Sequence, residues 1–132
     1  MIGLDTNVVV RYLTHDDPLQ TAAAVRVMDS LSSESPGFVS LVVMVELVWV
    51  LEASYHFKKK EIEHVLDALL RSKELAIERA GIVSQALRRF SASRADFADC
   101  LIERSAHAAE CRYTVTFDRN AAAGAGMRLL EG

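Results

Sequence analysis

Four acidic residues stand where this chain otherwise runs apolar or neutral. Asp5 closes the opening run MIGLD, Glu46 interrupts LVVMVELVWVL, Asp99 lies within ADFADCLI, and Asp118 follows YTVTF. An ionised carboxylate withdrawn from water is costly unless it is paired or coordinates a metal. No matching set of lysines or arginines lies beside these four, which points to a shared cation. Magnesium and manganese are hard cations that prefer oxygen ligands, and magnesium keeps several waters while taking one or two carboxylates directly. A cation held this way lowers the pKa of a bound water, orients it, and neutralises charge on a phosphoryl group.

Each acid also has a plainer structural role open to it. Asp5, leaving a strand ahead of Thr6 and Asn7, suits a helix N-cap for NVVVRYL. Asp118 in TFDRN suits a side-chain turn after a strand. Asp96 and Asp99 are three apart, on one helix face, where Asp96 can cap and Asp99 can sit in the first turn. Glu46 could form an ion pair with Arg11 or Arg112, and Glu103 either extends the acidic face of Asp99 or pairs with a surface arginine. Singly these signals are ambiguous; together they indicate a metal-dependent site.

Rival chemistries find no support. His15, His56, His64 and His107 are scattered without HxxxH or HExxH spacing. Cys100 and Cys111 show neither CxxC nor CxxH spacing and read as buried thiols. There is no Walker loop, the GAG at 124–126 reads as a turn before a last strand, and no GxSxG nucleophile motif occurs.

The elements that must position the acids read as α/β with a mainly parallel sheet. Strand-like runs cover Met1 to Asp5, Phe38 to Ser40 after Pro36-Gly37, Leu75 to Arg79 and Tyr113 to Phe117, with a weak fifth in MRLLE. A helix opens at Pro18, with Ala22, Val25, Met28, Asp29 and Leu31 as an imperfect stripe. Leu41 to Tyr55 is apolar almost all round and predicts a central buried helix. Lys59 to Arg71 is amphipathic, with Ile62, Val65, Leu66, Leu69 and Leu70 on one face, and Gly81 to Phe90 and Phe97 to Ala109 complete the set. In such folds ligands bind beyond the carboxyl ends of the strands, where Asp5 and Asp118 stand.

At 132 residues the chain predicts one domain, 1–132. Its formal net charge of −3 is no footprint for bulk electrostatic binding of nucleic acid. Any contact with nucleic acid would fall to bound metal and to local arginines such as Arg11, Arg94 or Arg119. The longest apolar stretch, 41–51, is short of the roughly 20 residues that span a bilayer. The opening strand shows no basic n-region or cleavage site, so a cytoplasmic protein is expected.

The strand ending in DTN, the glutamate within SLVVMVELVWVLE, and ADFADCLIERSAHAAECRYTVTFDRN resemble the PIN-domain family, closest to its VapC-type toxins. The resemblance covers essentially the whole chain. It implies a three-layer α/β/α sandwich with a five-stranded parallel sheet in order 3-2-1-4-5, bringing strand one beside strand four. It implies that Asp5, Glu46, Asp99 and Asp118 bind Mg2+ or Mn2+ and catalyse RNA hydrolysis. Thr6, Asn7 and Thr116 would lend supporting hydrogen bonds, and Asp96 adds a carboxylate that many relatives lack. It further implies a VapB-type antitoxin partner, an RNA substrate and a homodimer. Asn120 departs from the pattern, standing where a second aspartate is common; Cys100 and Glu103 stand where alanine is frequent.

Two other readings stay open. Aspartyl phosphotransferases place an aspartate after strand one but usually need DxD, where this chain has Asn7; receiver domains need a second acid beside the first and a lysine after the last strand. A non-catalytic PIN-like module could keep the acids for a structural cation.

Overall fold

The chain enters on a two-residue strand and turns at once into a helix, because Asp5 spends its side chain on the helix's first amide. The computed structural model describes residues 1–132, with seven helices and five short strands. They group into two units, Met1–Glu78 and Arg79–Gly132.

The first unit runs β1 (Ile2–Gly3), α1 (Thr6–Thr14), α2 (Pro18–Asp29), β2 (Gly37–Val39), α3 (Leu41–Tyr55), α4 (Lys59–Arg71) and β3 (Leu75–Ile77). Its sheet is parallel throughout, in order β1-β2-β3, with Gly3 opposite Phe38 and Phe38 opposite Ala76. Parallel neighbours need crossovers, which the two helix pairs supply. Local chemistry sets the helix ends. Pro18 opens α2, and Asp17 accepts from the Gln20 amide at 3.0 Å. Ser40 caps α3 through the Val43 amide, and the Lys58 amide donates to Glu61 at the start of α4. His15 and His56 end α1 and α3 in the left-handed region, both at φ 56°. The core gathers Val9, Val39, Met44, Leu47, Leu51, Ile62 and Leu66, all fully enclosed. A β-carbon on Gly37 would meet Leu4 Cδ1 at 2.7 Å, so glycine lets β2 lie close under that core.

The second unit runs α5 (Ala80–Ala92), α6 (Phe97–Ala108), β4 (Val115–Thr116), α7 (Arg119–Ala125) and β5 (Arg128–Leu129). Helix α5 buries Val83, Ala86 and Phe90, and α6 buries Phe97, Cys100 and Leu101. Phe90 meets Phe97 edge to face with centroids 6.2 Å apart. Strands β4 and β5 pair in parallel, Val115 opposite Arg128 and Thr116 opposite Leu129, with α7 as the crossover. Gly126 ends α7 at φ +81°, while Gly124 and Ala125 lie within the helix, so the turn expected over GAG narrows to its last glycine.

The strands form two sheets, β1-β2-β3 and β4-β5, where one five-stranded sheet was expected, and the pairing of strand one with strand four belongs to neither. One expectation for α3 is corrected. Its buried face is Val43, Met44, Leu47, Val48 and Leu51, while Val42 and Trp49 are 68% and 67% exposed, with Glu46 between them on the same stripe. A helix apolar all round carries no period from which its covered face can be read.

Candidate functional site

In the first unit the acids are organised by one threonine. Asp5 is the N-cap of α1, and its Oδ1 accepts from the Thr6 amide at 2.7 Å. Thr6 is the buried polar residue of the chain, and its hydroxyl donates to Glu46 Oε1 at 2.6 Å. Asp5, Thr6 and Glu46 thus form one hydrogen-bonded string from the end of β1 to the middle of α3.

No guanidinium meets Glu46, which corrects the suggested pairing with Arg11 or Arg112. Arg11 is engaged by Gln20 Oε1 at 2.6 Å, Asp16 Oδ1 at 3.3 Å and the Tyr55 hydroxyl at 3.0 Å. Tyr55 in turn donates to Asp16 Oδ2 at 2.6 Å, and that bond is the main cause holding the Asp16 carboxyl below its usual range. Arg112 lies over the Tyr113 ring. The Arg11–Asp16–Tyr55 cluster was not foreseen; its members lie up to 44 residues apart and share no spacing rule. Asn7 is exposed and, with Arg11 and Gln20, lines a cavity of about 230 Å³ beside α1 and α2.

In the second unit three carboxylates share one neighbourhood. Asp96 caps α6, its Oδ1 accepting from the Asp99 amide at 2.8 Å. Asp118 caps α7, its Oδ1 accepting from the Asn120 and Ala121 amides at 2.7 and 3.2 Å. The Asp118 amide donates to Thr116 Oγ1 at 3.0 Å, so Thr116 fixes the turn that presents the acid. Asp99 has its carboxyl raised to about 6, first by burial, then by the charge and hydrogen bond of Asp96, and then by the charge of Asp118. None of these three belongs to an ion pair, unlike the acids of Arg11–Asp16, Arg71–Asp67 and Arg104–Glu103. Glu103 is spent on Arg104 through two bonds of 2.6 and 3.1 Å, so it does not extend the acidic face.

Two sequence expectations need correction here. Asp5, Glu46 and Asp118 are exposed, and only Asp99 is partly buried. Asp5 and Asp118 cap helices, and a cap lies at the helix mouth whatever its neighbours in sequence; Glu46 falls on the stripe of α3 that leaves Val42 and Trp49 exposed. Cys100 is buried, with its thiol pushed up to about 11 chiefly by that burial, but Cys111 is exposed. The residue before it, Glu110, takes φ 69°, which turns the chain out of α6.

The acids come as a threonine-linked pair in one unit and a repelling group in the other, and no three His, Cys, Asp or Glu side chains are gathered tightly enough to hold a metal ion. The donor chemistry nonetheless suits a hard divalent cation: the oxygens are all carboxylate or hydroxyl, and a cation beside Asp99 would offset both the burial of its charge and the repulsion of Asp96 and Asp118.

The family model of the PIN domain matches residues 2–126. A protein described as VapC ribonuclease, from Aquifex aeolicus (strain VF5), is 26% identical over 117 residues, which cover 88% of this chain and 86% of that protein. The family match begins in β1, takes in all of these acids and ends at the glycine that closes α7. On that span, this chain belongs to the PIN domain family.

Proposed function

We propose that this PIN domain is a ribonuclease that serves as the toxin of a toxin–antitoxin pair and requires Mg2+ or Mn2+. The observation that carries the chemistry is the uncompensated acidic group of α6 and α7, in which Asp99 is raised to about 6 with no cation beside it. The ribonuclease reading draws on family membership and on the VapC ribonuclease relative. Asp5, Asp99 and Asp118, with Glu46, would hold the cation; combining acids of both units in one site rests on the motifs DTN, VEL, ADCLI and TFD. When bound, the cation supplies a Lewis acid for the phosphodiester and a water of lowered pKa.

The chain's own residues have distinct tasks. Thr6 holds one carboxylate oxygen of Glu46, leaving the other to accept a proton or orient the attacking water. Asp118 uses Oδ1 for helix amides and keeps Oδ2 for a ligand, with Thr116 fixing its backbone. Asp96 fixes the start of α6 and so the direction of Asp99, and Asn7 follows Asp5 and Thr6 into α1. Attack by water in line needs no covalent intermediate on the protein. The partners follow from the same reading: RNA as substrate, a VapB-type antitoxin that holds the enzyme inactive, and a second copy of the chain as a homodimer. No helix is long and apolar enough to cross a membrane.

The test is cleavage of total RNA by the purified chain with magnesium, with manganese and with EDTA, beside Asp99→Asn and Asp5→Asn. Metal-dependent cuts that vanish in both variants support the reading. A folded, metal-binding protein that leaves RNA intact refutes it and favours a module with a structural cation.

A further inference from the structure

The second unit carries a basic cleft that the acidic site does not use. Gln85, Arg88, Arg89 and Ala92 on α5 and Arg104 and His107 on α6 line a space of about 400 Å³. In a chain of net charge −3, three guanidinium groups and an imidazole in one cleft are an unusual concentration. Arg104 is committed to Glu103. Arg88 and Arg89 belong to no ion pair; Arg88 donates only to Ser84 Oγ, at 3.3 Å, and is exposed. Arg88 therefore stands at the cleft uncompensated, and Arg89, half-buried with its guanidinium reaching Gly126 at the end of α7, lines it without an ion pair.

We propose that this cleft is a phosphate-binding exosite that holds the RNA backbone away from the scissile bond. Guanidinium groups present planar forks of N–H donors that match phosphate oxygens, so Arg88 and Arg89 supply the recognition. Gln85 adds an amide and His107 a ring nitrogen. Apart from the His107 imidazole, the lining holds no Phe, Tyr or Trp ring for a base to stack on and no large apolar side chain for a protein segment to anchor, which favours a backbone polyanion over base readout. The cleft is also well placed along α6. At a rise of about 1.5 Å per residue, Arg104 lies about 7.5 Å and His107 about 12 Å along the helix from Asp99. A strand engaged by the cleft is thereby held within a few nucleotides of that carboxylate. The choice of RNA as the polyanion rests on the ribonuclease reading; the presence of an anion site does not.

The experiment is fluorescence anisotropy of a labelled 12-nucleotide poly-uridine RNA with the full chain in EDTA, over a salt series, for the wild type, Arg88→Gln and Arg88→Gln/Arg89→Gln. EDTA removes metal-bridged binding to the acids, and the difference between the wild type and the double variant reads the cleft. The expected result is roughly tenfold weaker binding in the double variant, with the log–log salt slope reduced by about 0.7 for each phosphate that is no longer neutralised. Cleavage by Arg88→Gln in magnesium should then show a raised KM with little change in kcat. Unchanged affinity and slope in both variants would overturn the exosite, even if the wild type cleaves RNA. Arginine-dependent binding with no cleavage in any metal would leave the exosite standing and remove the ribonuclease reading instead. Competition by poly-glutamate as effective as RNA at equal charge would overturn the assignment of the cleft to RNA.

Discussion

Thr6 Oγ1 lies 2.6 Å from Glu46 Oε1, a bond that spans forty residues and joins the first turn of α1 to the middle of α3. The same residue gives its amide to Asp5. A single threonine therefore orients two acids, one through its backbone and one through its side chain. Thr6→Val keeps the shape and removes the hydroxyl, at a cost of about 1 kcal/mol in urea unfolding. RNA cleavage should fall in Thr6→Val and return in Thr6→Ser, which can rebuild the bond. Full activity in Thr6→Val would show that Glu46 needs no such support.

Asp99 makes the metal-free protein sensitive to pH in a stated direction. Its folded carboxyl, raised to about 6, holds a proton that the unfolded chain releases near 3.8. Between those values the native state binds more protons than the unfolded state, so stability falls as pH rises from about 4 to 6 and stays lowered above that. Asp99→Asn should remove this slope and raise stability at pH 7 by about 1 kcal/mol, a figure discounted for the solvent that screens a partly exposed group. Thermal melts in EDTA across that window measure it; parallel curves for the two proteins would refute it.

The two cysteines should separate by reactivity. Cys111 is exposed, whereas Cys100 is fully enclosed in the α5–α6 packing and its thiol is raised to about 11. A thiol reagent at pH 8 should label one site quickly and the second only on unfolding, and Cys111→Ser should abolish the fast phase. Fast labelling of the Cys111→Ser protein would contradict the packing of α6.

Glycine-to-alanine changes should have opposite signs at two positions. Gly126 holds φ +81° at the end of α7, a conformation that costs an L-residue about 1–2 kcal/mol, so Gly126→Ala should destabilise by about that much. Gly81 lies inside α5 with nothing within 4 Å of an added β-carbon, so Gly81→Ala should stabilise by about 0.4–1 kcal/mol. Equal signs would mean that one of these backbone assignments is wrong.

The legible parts of the fold are those with a local cause. The bounds expected for α3 and α4, Leu41 to Tyr55 and Lys59 to Arg71, match the structure, because caps and amphipathic spacing declare themselves within one turn. Strands are shorter than their sequence runs: Met1 to Asp5 forms a ladder only at Ile2–Gly3, since Asp5 already serves α1. The capping alternatives for Asp5 and Asp96 hold, and the side-chain turn expected at Asp118 also opens α7, as each accepts amides at a helix start. What stays hidden is pairing between distant parts of the chain. Nothing in the spacing ties Glu46 to Thr6 rather than to Arg11, or ties Arg11 to Tyr55. Likewise, the composition of α3 gives no sign that Trp49 is exposed.

Three of the acids, Asp5, Asp96 and Asp118, begin helices by accepting backbone amides with a side-chain oxygen. Asparagine does that as well as aspartate. A single-base change from an aspartate to an asparagine codon therefore leaves the architecture standing while erasing charge. Such a lineage would go on producing a folded protein, able to occupy the same binding surfaces, after its chemistry had gone. Natural selection can silence this domain without ever exposing the cell to its unfolded chain.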